Sequence, residues 1–109
     1  MTPDEILSYP ARVLTQEQRK AYFDKGFVNV DEIVPANILK SLQDTTQDFV
    51  EQSKSISASD DRFDIGPEHS ANNPVLRRLK SPDTASDAYW NFSTGLMADV
   101  AADLVGPNV

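Results

Sequence analysis

Apolar residues along the chain switch period several times, and each switch marks an element. Thr2, Pro3, Asp4 and Glu5 read as a helix start, with a hydroxyl cap, proline in the first turn and two acids behind it. Pro10 keeps that helix short. Thr15-Gln16-Glu17-Gln18 is a second start, a capping box in which Gln18 reaches back to the residue whose hydroxyl caps it. Ala21, Tyr22 and Phe23 follow, and Gly26 ends the helix in the left-handed conformation that glycine adopts without steric cost. Phe27, Val28, Asn29 and Val30 are β-rich, and Val28 and Val30 share one side of an extended chain. A strand of about four to seven residues is expected there, stopped by Pro35.

After Pro35 the period becomes helical. Ile38, Leu42, Thr45 and Phe49 fall at four-, three- and four-residue spacing, with Leu39, Thr46 and Val50 one step round. This predicts a helix from Ala36 to about Ser53 whose stripe belongs to the core. Burying its five large side chains would contribute about 10 kcal/mol before entropy is subtracted. The serine-rich run from Ser53 to Asp61 reads as a surface loop. Phe63-Asp64-Ile65 fits a short strand closed by Gly66-Pro67. Val75 to Leu79 fits either a strand or one helical turn. Ser81-Pro82-Asp83 restarts a helix expected to run through Trp90 and Phe92. Leu96, Val100 and Leu104 form a last amphipathic helix, ended by Gly106-Pro107. The class is α+β, mainly helical with a few short strands.

Composition narrows the chemistry. The chain has 109 residues, 39% hydrophobic and 25% charged, the balance of an ordinary soluble domain with room for one core. Cysteine is absent, which excludes disulfides and thiol nucleophiles. Neither a membrane span nor a signal peptide is legible, and a cytoplasmic protein is the expectation. A formal charge of −7 disfavours nucleic acid as a partner. Arg77, Arg78 and Lys80 form one basic patch. From Ser81 onward every charged residue is acidic (Asp83, Asp87, Asp99, Asp103), which reads as a solvated end. The one histidine, His69, adjoins Ser70, but no Gly-x-Ser-x-Gly turn accompanies it, and a loop histidine facing water is the plain expectation. Asp60, Asp61 and Asp64 lack calcium-loop spacing, and no metal-ligand or phosphate-cradle motif is present. These residues alone make no catalytic site.

The order of local motifs carries a resemblance. Leu14-Thr15-Gln16-Glu17-Gln18, Tyr22-Phe23, Gly26-Phe27-Val28-Asn29-Val30 and the helix after Pro35 resemble the N-terminal region of the phytanoyl-CoA dioxygenase family. Phe63-Asp64-Ile65-Gly66-Pro67-Glu68-His69-Ser70, Pro74-Val75-Leu76-Arg77-Arg78-Leu79, Ser81-Pro82, Tyr89-Trp90 and Ala101-Ala102-Asp103-Leu104-Val105-Gly106-Pro107-Asn108-Val109 are similar to a subset of it. The resemblance implies a non-haem Fe(II)- and 2-oxoglutarate-dependent oxygenase on a double-stranded β-helix, or jellyroll, that hydroxylates a small organic substrate. In that family the iron is held by His-x-Asp and a distant His, and an arginine beyond them grips 2-oxoglutarate. None of those positions falls within residues 1–109. The chain is therefore expected to be one incomplete domain, the helical wrapper and first strands of such a fold, inactive alone.

The polar residues that such a wrapper would offer a substrate are His69, Arg77 and Arg78, since a guanidinium holds an anionic group in two parallel hydrogen bonds. The competing expectation places both arginines on a surface strand, one paired with a nearby acid. Tyr89 and Trp90 read as core or helix-packing aromatics, and Phe23 and Phe27 as structural. A second functional reading is a non-catalytic α+β module that docks on a partner.

Overall fold

A computed structural model describes residues 1–109. It contains helices α1 (Pro3–Ser8), α2 (Gln16–Lys25), α3 (Ala36–Ser53), α4 (Asp87–Thr94) and α5 (Leu96–Val105), with strands β1 (Phe63–Ile65) and β2 (Leu76–Leu79). The protein is α+β, about half of it helical. No helix is long and apolar enough to cross a membrane. The chain groups into two compact units, Met1–Pro35 with Asn91–Val109 in the first and Ala36–Trp90 in the second.

Local chemistry sets the helix ends in the first unit. Thr2 and Thr15 each close a capping box, with Glu5 and Gln18 as the reciprocal acceptors. Gly26 (φ 82°) ends α2, and its N–H donates to the Tyr22 carbonyl at 2.8 Å. The expected strand over residues 27–30 does not form: the segment is neither helix nor strand, and none of its backbone groups bonds elsewhere in the chain. Strand pairing is non-local, and no other segment of this chain bonds to this one. Phe27 is 60% exposed, not structural packing as expected, whereas Phe23 is half-buried edge-on to Tyr22 (centroids 5.3 Å apart).

The buried apolar residues of this unit are Ile6, Leu14 and Ala102, and its most deeply buried groups are charged. Arg19 is 1% and Asp103 2% exposed. The Asp103 carboxylate accepts the consecutive backbone N–H groups of Arg12, Val13 and Leu14, each at 2.8 Å. Arg19 donates to the Asp103 carbonyl (2.8 Å), the Ile6 carbonyl (2.7 Å), the Tyr9 carbonyl (3.0 Å) and Gln16 Oε1 (2.8 Å). One guanidinium thereby satisfies carbonyls near the C-terminal ends of both α1 and α5, where the helix dipole favours a cation. The expectation that the acidic end is solvated therefore fails at Asp103, whose partners lie about ninety residues away. Asp99 behaves as expected, in a half-exposed ion pair with Arg12.

In the second unit α3 spans the expected residues, but its stripe is less buried than the pattern suggests. Phe49 is buried, Ile38, Leu42 and Val50 are half-buried, and Leu39 is 45% exposed. Phe49 meets Phe63 of β1 edge-on (centroids 6.4 Å apart, planes at 64°). The Thr46 hydroxyl donates to the Leu42 carbonyl at 2.7 Å, so the Tyr89 hydroxyl is the donor in the Tyr89–Thr46 hydrogen bond. Trp90, expected as a core or helix-packing aromatic, is 53% exposed and so is not a core residue. The helix expected from Ser81 is divided: Pro82–Thr84 form one 3₁₀ turn, and α4 starts afresh at Asp87. Ser86 supplies the second start, its hydroxyl facing the Tyr89 N–H at 3.4 Å.

Candidate functional site

Of the segment from Val75 to Leu79, Leu76–Leu79 is strand, and β1 and β2 form an antiparallel hairpin. Asp60 starts it by accepting the backbone N–H groups of Arg62 and Phe63, each at 2.8 Å. Those two bonds, Phe63 first, hold the Asp60 carboxyl below its ordinary pKa. Across the hairpin Phe63 faces Leu79, Asp64 faces Arg78 and Ile65 faces Leu76, which leaves Arg77 as the extra residue of a β-bulge. Strict alternation would put one of Arg77 and Arg78 on the inner face. With the bulge, Leu76 and Leu79 are both half-buried and both arginines are exposed.

All three residues singled out in the sequence belong to this hairpin. Arg78 lies 3.7 Å from Asp64, a partly exposed pair, while Arg77 makes no ion pair in the chain. The aliphatic stem of Arg77 and the Glu68 carboxylate flank Gly66, which is buried and close to Val75. His69 occupies the connecting loop and does not simply face water. Its Nδ1 accepts the Val75 N–H at 2.9 Å, and its Nε2 lies 2.8 Å from the Ser53 carbonyl at the end of α3. An imidazole that accepts at Nδ1 and faces a carbonyl at Nε2 is the neutral Nε2–H tautomer. Both ring nitrogens are thus committed to holding the loop, and the arginines are the polar groups offered outward.

A concave feature lies in the first unit. A cleft of about 550 Å³ is lined by Thr15, Glu17, Gln18, Ala21 and Lys25 of the α2 region and by Phe27, Val28 and Asn29. The sequence marked these last residues as strand-forming but gave no sign of a cleft beside them.

Comparison with protein-family models, curated proteins and solved structures gives no match. The site therefore rests on its own chemistry. No three His, Cys, Asp or Glu side chains converge in a way that could hold a metal ion, and the one imidazole is spent on Ser53 and Val75. The residues present do not fit the Fe(II) and 2-oxoglutarate ligand set of the family that the sequence resembles. What the hairpin presents to solvent is the guanidinium groups of two consecutive residues, Arg77 without an ion pair and Arg78 near Asp64, on a backbone held by His69 and Asp60.

Arg19 and Asp103 carry most of the polar architecture and were missed by local sequence reasoning. The available signal was weak: Asp103 is the lone acid within the Ala-Ala-Asp-Leu-Val run, where a solvated helix face would carry more polar residues.

Proposed function

We propose that these residues form the outer wrapper of an Fe(II)- and 2-oxoglutarate-dependent dioxygenase that hydroxylates a small organic substrate, with the metal and cosubstrate ligands supplied by polypeptide outside this sequence. In this reading Arg77 and Arg78 face an anionic group of the substrate, and His69 positions their hairpin. The observation that supports it is the balance of apolar surface. Leu39, Trp90 and Val105 are 45–54% exposed, whereas only Ile6, Leu14, Phe49, Phe63 and Ala102 are buried apolar residues. Apolar surface on that scale is what a larger catalytic barrel would cover.

One observation favours the alternative, a non-catalytic interaction module. Every buried side-chain polar atom has a hydrogen-bond partner within the chain, as in a self-sufficient fold. Equilibrium unfolding of the purified chain, followed with an apolar fluorescent dye, separates the two. A wrapper binds the dye under native conditions, before its unfolding transition. A self-sufficient module leaves the dye dark until it unfolds, which would overturn the wrapper reading.

A further inference from the structure

Residues 27–30 combine three properties that rarely coincide in a finished fold. Their composition is strand-forming, their backbone N–H and C=O groups are unbonded within the chain, and a cleft opens beside them. The segment is also framed. Gly26 (φ 82°) precedes it and Glu32, a non-glycine residue at φ 55°, follows, so a left-handed residue turns the chain at each end. Phe27 is 60% exposed, and together with Val28 and Ala21 it supplies the apolar part of the cleft's lining.

We propose that residues 27–30 are an open strand edge that takes up an extended, apolar peptide with basic flanks from another polypeptide, by β-strand addition, one peptide side chain seating in the cleft against Ala21, Phe27 and Val28. Main-chain hydrogen bonds supply the attraction, and the cleft supplies side-chain selectivity. Charge selects the occupant. Glu17 lines the cleft, and Asp24, Asp31 and Glu32 flank the segment, all exposed, against the single ammonium of Lys25. A second copy of this chain would bring the same carboxylates against themselves, with −7 on each partner. A peptide with lysines on either side of a short β-branched core meets both the edge and its flanks. This inference goes beyond the oxygenase reading and does not depend on it.

The test uses the full ¹⁵N-labelled chain and the peptide acetyl-KKVTVTKK-amide, with acetyl-EEVTVTEE-amide as its counterpart. On binding, amide exchange should slow at every second residue of the segment, either at Phe27 and Asn29 or at Val28 and Val30, as a strand ladder requires. Proline at Val28 and proline at Asn29 should then behave oppositely, one abolishing binding and the other sparing it. Raising salt from low to about 0.5 M should weaken binding about tenfold, and the glutamate peptide should not bind. The proposal is overturned if no shift appears at millimolar peptide or if shifts come without alternating protection. Protection that rises with protein concentration alone would identify a second copy as the occupant and equally overturn it.

Discussion

Asp103 and Arg19 are joined through the Asp103 backbone carbonyl, to which Arg19 Nε donates at 2.8 Å, while the Asp103 carboxylate is occupied by the amides of Arg12, Val13 and Leu14. The two charges cooperate without a direct side-chain pair. Each bonds backbone groups at helix ends or in the connecting segment between α1 and α2, and both are nearly inaccessible to solvent.

Replacing that carboxylate tests the arrangement. Asp103→Asn keeps the shape but offers one acceptor oxygen to three amides, and should lower stability by about 3 kcal/mol in urea unfolding. Burial opposes ionisation of Asp103, but the amides of Arg12, Leu14 and Val13 and the charge of Arg19 outweigh it, leaving the pKa below its ordinary value. Stability from this group is therefore complete above the ordinary carboxylate range and is lost as pH falls through the lowered native value. The acid limb of the stability profile should be shallower in Asp103→Asn than in the parent. An unchanged limb would show that other carboxylates govern acid unfolding.

His69 should carry a ring proton on Nε2, facing the Ser53 carbonyl, and leave Nδ1 to accept the Val75 N–H. Long-range ¹⁵N–¹H correlation of the ring distinguishes the two nitrogens directly. His69→Ala orphans the half-buried Val75 N–H and should cost about 2 kcal/mol. A ring that averages between tautomers would mean that the bonds to Ser53 and Val75 do not persist.

Gly66 tests the hairpin packing. A Cβ there would stand 2.7 Å from Val75 Cγ1 and 3.2 Å from Glu68 Oε2. Gly66→Ala should destabilise by about 1–3 kcal/mol, and Val75→Ala in the same chain should recover part of that loss. Additive losses in the double variant would contradict the close contact.

Arg77 is exposed and makes no ion pair, so Arg77→Ala should change stability by less than about 0.5 kcal/mol in thermal or urea unfolding. A larger loss would assign this arginine to folding and remove it from any ligand-facing role.

The elements that the sequence announces are those whose signals are local. Thr2, Thr15 and Gly26 bound α1 and α2 through groups three or four residues away, and the period from Ile38 to Phe49 locates α3. What escaped depends on distant partners. The β propensity at residues 27–30 is real, but a strand needs a neighbour that the local pattern cannot reveal. Asp103 reads as one more acid in an acidic end until Arg12, Val13 and Leu14 are brought to it. At the hairpin the arginines were legible as candidates, whereas the bulge that turns both outward depends on cross-strand register. His69 was visible only as a loop residue, because the Ser53 carbonyl it meets is sixteen positions earlier.

The dioxygenase reading stands on catalysis by the natural translation product that contains these residues. Succinate release from 2-oxoglutarate, measured on that product with Fe(II) and oxygen, tests it most directly. The account predicts turnover by the natural product and none by residues 1–109 alone. A natural product that, fully loaded, forms no succinate would contradict it.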